Sequence, residues 1–411
     1  MVWPAVLAII VATVAPAAAG DGSWVQAWLE QGAMTGNWLG AREALTQVGI
    51  TPTIVYTTDL LGNPVGGQRQ AAAYTGALEV ALNLDLDKLL GVGGLSFQVS
   101  GIWSSGSDLS DDIGNIFPVA EIFAGDRVRL YSLFLEQMLF GERLSIKAGR
   151  FATTDDFITL PVAGLFVNSA LDPSVYAVEI NVPGATAWPI ATWGGRLRVR
   201  PVEALDVSVG AFYSDPTLNQ DSTNGVQFTI STQAGYFVVG EVGYRLHHET
   251  PSSGLPGHYR VGAYYDSNRY PRLSDPAQGR RGNYGAYVLA DQMVLREGGP
   301  DSNQGLTLFA ALTVAPAQSI NTMPWFAAAG LVYRGLLPRR ARDTAGFALY
   351  YGGFSRDLPG QTYEMVLEWT YAVALTPWLT VQPDIQYVVN PNGRPTIRDA
   401  LVVGAQMILQ F

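Results

Sequence analysis

The last part of the chain alternates between apolar and polar side chains with a period of two. From residue 363 to residue 375 the odd positions are apolar or aromatic, and Glu364 and Glu368 stand among the even positions. Residues 379–387 and 401–409 repeat the pattern. A period of two places alternate side chains on opposite faces of a strand, whereas a helix would mix the two sets. The pattern therefore predicts three strands, each with one apolar and one polar face.

Runs of this length and polarity are typical of strands that cross a lipid bilayer. Lipid offers no partner for backbone polar groups, so such strands must pair with one another, as they do in a closed barrel. A soluble sandwich or a lipocalin-like barrel also has alternating strands. The length of the runs, their aromatic content and the aromatic Phe411 within the last run favour the transmembrane barrel.

Strand-like runs recur along most of the chain. Their starts fall near residues 51, 73, 93, 126, 142, 191, 204, 235, 258, 283, 305, 324, 344, 363, 378 and 400. The spacing predicts an all-β fold, a transmembrane antiparallel β-barrel of about 16 strands, which is an even number as in bacterial single-chain barrels. A barrel of this size encloses a water-filled lumen, whereas side chains fill a barrel of about eight strands.

The connections between the runs alternate between short and long. The short ones, near residues 140–142, 201–204 and 376–377, are predicted to be periplasmic turns. The long ones, at 104–125, 152–190, 214–234 and 267–282, are predicted to be extracellular or folded inward. Turns 247–257 and 335–343 are longer than this alternation predicts.

The beginning of the chain predicts a leader and a helical segment before the barrel. Residues 1–20 are apolar and close on Ala17-Ala18-Ala19, which is typical of a signal peptide removed on export. The alternative, a membrane anchor, is interrupted by proline and lacks flanking charge. No other run of 18 apolar residues exists, which excludes a helical membrane protein. The predicted division is residues 1–20 signal peptide, 21–50 helical segment and 51–411 barrel.

Residues 24–48 form the helical stretch. Apolar side chains recur there at helical spacing, Asn37 can cap a turn, and Gly49 can end the helix. Its apolar stripe is narrow, so we expect it to pack against the periplasmic end of the barrel or in its mouth.

Composition excludes several kinds of function. A formal net charge of -10 argues against nucleic acid as a partner. The absence of cysteine excludes thiol chemistry and disulfides. The three histidines, His247, His248 and His258, lack acidic neighbours at metal-ligand spacing. The sequence therefore predicts neither a metal site nor a cofactor.

Several motifs resemble the OprB-type carbohydrate porins of bacterial outer membranes. The opening of that family reads G-x-W-G-G-x-R-x-x-L-x-x-x-G-I, followed by a tyrosine-led strand and a G-N-x-x-G-G turn. The matching pieces here are TGNWLGAREALTQVGI at 35–50, YTTDLLGNPVGG at 56–67, LFGERLSIKAGR at 139–150 with Asp155, Asp156 and Phe157, WGGRLRVRP at 193–201, GAYYDSN at 262–268 and LTPWLTVQPDIQYVVNPNG at 375–393. Leu39 replaces the first glycine of the family's W-G-G triplet, which is a small departure.

The resemblance implies a function that periodicity does not show. It implies an outer-membrane channel for the passive diffusion of small sugars such as glucose, surrounded by lipid and present as a monomer or a homotrimer. A non-selective or structural barrel and a barrel-embedded hydrolase are the alternatives. No Gly-x-Ser-x-Gly motif is present, and the chain is not predicted to be an enzyme.

A row of arginines gives the candidate pore wall. Arg196, Arg198 and Arg200 alternate with Leu197 and Val199. Arginine facing lipid near the bilayer midplane costs about 2–4 kcal/mol, so the row should face the lumen. A structural ladder paired with neighbouring acids is the plainer interpretation. Nearby charged residues predicted to share this wall are Lys147, Arg150 and Asp206.

Acidic residues complete the predicted pathway. The apolar stretch 151–190 is too long for a turn and is expected to fold into the lumen as a constriction, with Asp155 and Asp156 setting its charge. An extracellular cap is the alternative for this stretch. Glu364 and Glu368 lie on one wall and are predicted to be solvated there, although a glycosidase pair would have the same spacing.

Overall fold

The structure is a computed structural model that describes residues 23–123, 125–217, 224–232, 234–248 and 254–411. The predicted leader, residues 1–20, lies outside the described residues. The strands in chain order are β1 (Ile50–Gly67), β2 (Ala72–Asp85), β3 (Leu95–Gly106), β4 (Arg127–Leu139), β5 (Leu144–Phe151), β6 (Leu171–Asp172), β7 (Ser174–Val175), β8 (Thr192–Val202), β9 (Leu205–Ser214), β10 (Gly235–Leu246), β11 (Gly257–Pro271), β12 (Gly279–Glu297), β13 (Gln304–Val314), β14 (Trp325–Arg334), β15 (Thr344–Gly353), β16 (Tyr363–Ala374), β17 (Leu379–Val389) and β18 (Arg398–Gln410).

Sixteen of these strands form a closed antiparallel barrel, which confirms the predicted fold class. Each strand pairs with its neighbour along the chain, β5 pairs with β8, and β1 pairs with β18 to close the ring. The short strands β6 and β7 pair with each other, and Ser174 of β7 also forms a β-bridge with Thr159. The barrel thus presents a paired backbone all around, as a lipid environment requires.

The predicted strand starts agree with the observed ones to within two residues, except for β12. This strand begins at Gly279 rather than near residue 283. Residues 279–282 read GRRG and carry no apolar side chain, yet they continue the ladder with β11. Backbone pairing therefore extends beyond the part of the strand that the apolar pattern marks.

The described residues form five short α-helices beside the barrel: α1 (Ser23–Glu30), α2 (Ala41–Gln47), α3 (Leu86–Leu90), α4 (Ser110–Ile113) and α5 (Tyr176–Asn181). The predicted N-terminal helix is thus two helices with a bend between them. The carbonyl oxygen of the Asn37 side chain accepts the Glu43 N–H at 2.9 Å, and Gly49 follows α2 with φ 98°. None of the helices in the described residues is long and apolar enough to cross a membrane.

The N-terminal helices lie at the end of the barrel where β1 starts and β18 stops. The Arg42 guanidinium donates to the main-chain oxygen of Phe411 at 2.6 Å, and the Met34 N–H donates to the Gln410 oxygen at 2.8 Å. The rings of Trp28 and Trp378 lie 4.7 Å apart. Because short periplasmic turns mark one end of such barrels, this end is the periplasmic one.

Two connections from the other end fold into the barrel. We call residues 107–123 the first inward segment and residues 152–191 the second inward segment. Both contribute to one buried apolar cluster together with the inner wall. Its members from the segments include Phe117, Val119, Phe166 and Val167, and those from the wall include Phe309, Phe326, Tyr350 and Val366. The apolar core of this protein therefore lies inside the barrel.

Candidate functional site

The arginine row of β8 lies on the inner face of the barrel. Leu197 and Val199, which alternate with it, are each 39% exposed on the outer face. Arg196 is buried, whereas Arg198 and Arg200 keep partial exposure. The plainer interpretation of the row, pairing with acids, holds for Arg196 and Arg200.

Arg196 forms the centre of a buried ionic network. Its Nη2 lies 2.7 Å from Glu136 Oε1 and 3.2 Å from Asp156 Oδ1. Lys147 Nζ lies 3.0 Å from the other oxygen of Asp156. Burial alone would raise the pKa of Asp156, but the positive charges of Lys147 and Arg196 outweigh it and lower that pKa below its usual value. The network ties the start of the second inward segment to β5 and β8.

The remaining predicted basic residues occupy two different environments. Arg200 Nε lies 2.9 Å from Asp206 Oδ1, and Arg245 Nε lies 3.1 Å from the other oxygen of Asp206. This group keeps solvent contact toward the periplasmic end. Arg150 is 3% exposed and lies close to the buried Arg129. Arg150 is thus part of the packed wall rather than of a solvated surface.

Glu364 and Glu368 are fully buried, so the predicted solvated wall is wrong for both. Glu368 Oε1 accepts the N–H groups of Val167 at 2.6 Å and Asn168 at 3.3 Å. Its other oxygen accepts the Tyr350 hydroxyl at 3.0 Å. Both carboxyl groups anchor inward segments, which also leaves neither of them free for the glycosidase-like arrangement.

Glu364 holds the first inward segment in the same way. It accepts the N–H groups of Ile116 at 2.8 Å and Phe117 at 2.9 Å, and the N–H of Asn392 in an extracellular turn. Backbone N–H groups of a loop need partners once the loop leaves water, and a carboxylate offers several acceptor sites. The wall carboxylates therefore supply hydrogen bonds that the inward backbone would otherwise lack.

The second inward segment crosses the barrel between these two attachments. Asp156 is held at β5 and β8, and Val167 is held at β16. Seven strands separate β8 from β16 on either side of the ring, β9–β15 one way and β17, β18 and β1–β5 the other. The attachments are thus diametrically opposed, and the segment divides the lumen.

Side chains inside the barrel keep solvent exposure beside the second inward segment, on the side of β2, β3 and β4, and we call this solvent-exposed strip the passage. Asp155 is exposed there, although it lies inside the barrel and accepts a hydrogen bond from the Tyr131 hydroxyl. Burial raises the pKa of Asp155, and Lys147 and Tyr131 oppose that shift. A carboxyl group that touches solvent while protein surrounds it is expected in a narrow aqueous passage.

Trp188 and Glu79 lie on the same passage, and sequence reasoning named neither. The Trp188 indole N–H donates to Glu79 Oε2 at 3.3 Å, and both side chains keep partial exposure. Trp188 packs on a small apolar cluster that contains Ile102 and Tyr131. The passage therefore combines one aromatic ring, two carboxyl groups and the positive charge of Lys147 behind them.

A cavity of about 390 Å³ lies on the periplasmic side of the second inward segment. The segment contributes Pro161, Val162, Gly164 and Leu165 to its lining. The barrel wall contributes polar groups that include Thr307, Arg334 and Thr344. Space for a small polar solute is therefore present on the periplasmic side of the second inward segment.

Comparison with known proteins gives consistent matches over most of the chain. A sequence profile described as "Carbohydrate-selective porin, OprB family" matches residues 69–411. Porin B of Pseudomonas aeruginosa is 29% identical over 92% of this chain and 91% of its own length. The high pH structure of Pseudomonas putida OprB is 29% identical, covers 93% of this chain and 99% of its own, and superposes with a TM-score of 0.86. The low pH structure of that protein superposes with a TM-score of 0.63 at 26% identity, with the same coverage.

Proposed function

The chain belongs to the OprB family of carbohydrate-selective porins, and we propose that sugars cross its barrel along the passage formed by Asp155, Glu79 and Trp188. As a member of this family it is a carbohydrate porin of the bacterial outer membrane, and the family is one of channels rather than enzymes. The observation that supports the route is a set of part-exposed carboxyl and indole groups inside the barrel.

The chemistry of the passage suits a neutral polyhydroxyl solute such as a monosaccharide. Carboxylate oxygens at Glu79 and Asp155 can accept hydrogen bonds from hydroxyl groups, and the flat ring of Trp188 offers an apolar face to sugar C–H groups. Weak sites in series let a solute enter and leave, as a channel requires. We propose monosaccharides as the main substrates, lipid around the barrel, and a monomer or a homotrimer. We also propose that residues 1–20 are removed on export.

Swelling of liposomes that contain the purified protein tests the proposed substrates. Swelling in isosmotic glucose or another monosaccharide is the expected result. Equal swelling rates for sugars and for sugar-sized solutes without hydroxyl groups would indicate a non-selective barrel, and no swelling would indicate a structural one. Either result would contradict the proposed selectivity.

Replacing Trp188 with alanine is expected to weaken sugar binding while ion flow continues. The ring supplies apolar contact area that alanine cannot replace, and its N–H no longer positions Glu79. Glucose block of single-channel current in planar bilayers measures the effect, with a severalfold higher half-blocking concentration expected. Trp325→Ala is the matched control, because Trp325 is 42% exposed on the outer face. An unchanged glucose block in Trp188→Ala would remove the ring from the pathway.

Replacing Arg198 with alanine is expected to change conductance and ion preference without unfolding the barrel. Arg198 is part-exposed on the inner face, and charge in a narrow, low-dielectric pore acts more strongly than in bulk water. Substitutions that face the lumen tune selectivity. Single-channel current and reversal potential in a salt gradient measure both effects, with Leu197→Ala as the outward-facing control. Identical values in Arg198→Ala and wild type would place this arginine outside the ion pathway.

A further inference from the structure

Five carboxyl groups meet where the inward segments touch the wall near β1, β16 and β17. The wall contributes Asp59, Asp384 and Glu368, and the segments contribute Glu121 and Asp172. Asp59 lies close enough to Asp384, Glu121 and Asp172 to interact with each electrostatically, and Asp384 interacts with Glu368 in the same way. We call these five residues the acid cluster.

Apart from the three donors to Glu368, the described residues offer little that would compensate the negative charge of the acid cluster. Asp59 is 1% exposed, and no described residue donates to its carboxylate oxygens with normal hydrogen-bond geometry, although the Gln406 side chain lies nearby. Within the same part of the chain, one oxygen each of Asp384 and Glu121 is buried without a partner. Among the ion pairs that the described residues form, none involves a member of the cluster. Within the same residues, no three side chains are arranged to hold a metal ion.

Asp59, Asp384 and Glu368 are buried, and Glu121 and Asp172 keep only partial exposure beside them, which favours protonated carboxyl groups. An isolated buried carboxylate is so costly that the group becomes neutral instead. Burial, followed by the charges of Asp59 and Asp172, raises the pKa of Glu121 well above its usual value. Burial and then Asp59 raise the pKa of Asp172 in the same direction. The Tyr350 hydroxyl of β15 also faces this group, and the Gln406 amide of β18 donates to Glu121 Oε1 at 2.5 Å.

The sign of the pH dependence follows from these raised pKa values. A group whose pKa is higher in the folded arrangement stabilises that arrangement at low pH and loses the contribution as pH rises through the raised value. If Glu121, Asp172 and Asp59 all ionise, their negative charges lie close together at a contact with little solvent. Like charges there repel strongly because the surroundings screen them little.

We propose that the acid cluster is a pH-sensitive contact that holds the inward segments against the wall while its carboxyl groups are protonated and releases the segments when these groups ionise. Glu121 belongs to the first inward segment and Asp172 to the second, so ionisation acts on both together. Released segments obstruct the lumen intermittently, because they move within the space through which solutes pass. The proposal rests on the proposed function only in that these segments border the pathway.

Single-channel recordings in KCl from about pH 6 to about pH 9 test the proposal, since this interval spans the titration of carboxyl groups whose pKa is raised. The wild type is expected to show severalfold more frequent closures at the high end. The double variant Asp59→Asn and Glu121→Gln keeps the shapes and cannot ionise at these positions. Its closure frequency is expected to stay at the low-pH value throughout. Asp111→Asn, an exposed acid of the first inward segment, is expected to follow the wild type.

The same pH profile in the double variant and the wild type would overturn the proposal, and so would a wild type without any pH dependence. Should the double variant fail to insert, Asp172→Asn provides the test from the second segment, with a reduced pH response expected. Liposome swelling in glucose at about pH 6 is measured on the same preparations. If the liposomes do not swell in glucose while the closure frequency still depends on pH, the proposed sugar route is contradicted. The proposed role of the acid cluster is then unaffected.

Discussion

Replacing Glu368 with alanine is expected to free the second inward segment from the wall, so that single-channel recordings show a changed conductance with more frequent closures while the barrel remains folded. The substitution removes the acceptor of three donors, the N–H groups of Val167 and Asn168 and the Tyr350 hydroxyl. Each buried donor left without a partner costs about 1–3 kcal/mol. The segment can recover these hydrogen bonds only by moving into water, whereas the strand ladders of β16 are unaffected.

Conductance in planar bilayers and protease cleavage within residues 152–191 measure the release. Glu203→Ala, in an exposed periplasmic turn, is the matched control and should behave as wild type in both assays. Glu368→Gln keeps the shape and one acceptor oxygen, so an intermediate result is expected. Wild-type conductance together with a wild-type cleavage rate in Glu368→Ala would show that the carboxyl group does not hold the segment.

Replacing Arg196 with alanine is expected to destabilise the folded protein by about 3–5 kcal/mol, because it removes the cation paired with Glu136 and leaves Lys147 as the remaining ion-pair partner of Asp156. The temperature at which the heat-modifiable gel band converts to the unfolded band measures the loss. Arg200→Ala is the matched control from the same row. Its ion pair with Asp206 is part-exposed and shared with Arg245, so a loss of at most about 1 kcal/mol is expected.

A triple variant separates charge from packing in the Arg196 prediction. Arg196→Met with Glu136→Gln and Asp156→Asn removes both carboxylates that lose Arg196, while Asp155, which interacts electrostatically with Lys147, remains as a counter-charge for that lysine. Replacing a buried ion pair by neutral groups of similar volume is often nearly neutral in stability, so most of the loss should be recovered. A triple variant as unstable as Arg196→Ala would assign the effect to packing rather than to charge.

The barrel could be predicted from the sequence because lipid imposes a simple rule on each strand. Outward positions such as Leu197 and Trp369 must be apolar, and the alternation that follows marks where strands begin. The exceptional start of β12 shows the limit of the rule. Residues 279–282 are paired with β11 but lie beyond the apolar part of the strand, so no pattern marks them.

The contents of the lumen could not be predicted in the same way. Period two places Glu364 and Glu368 on the inner face, but it does not state whether water or a folded segment meets them. Their contacts include backbone N–H groups more than 200 positions away along the chain, and every residue type except proline supplies such a donor. The sequence pattern of these acidic side chains therefore predicts a solvated wall, although in the structure they are buried and hold the inward segments.

The sequence also contained no pattern from which individual residues of the passage and of the acid cluster could be predicted. Trp188 stands alone in an irregular segment, where neither periodicity nor a motif distinguishes a ring that faces the passage from one that packs against the wall. Asp59 is one polar position of an alternating strand, and only the approach of Glu121 and Asp172 makes its burial apparent. Side chains whose roles depend on tertiary approach thus need the structure.

The crossing of the lumen by the second inward segment has a mechanical consequence. A thin-walled cylinder deforms most easily by becoming oval, with one diameter lengthening as the perpendicular one shortens. The attachments at Asp156 and Val167 join opposite walls, and Asn181 adds a third near β12, where the Asn283 amide donates to its carbonyl oxygen at 3.1 Å. Such a cross-brace resists the change in diameter. The aperture that solutes meet is therefore set by the protein's own hydrogen bonds, and changes in the lateral pressure of the surrounding bilayer alter it little.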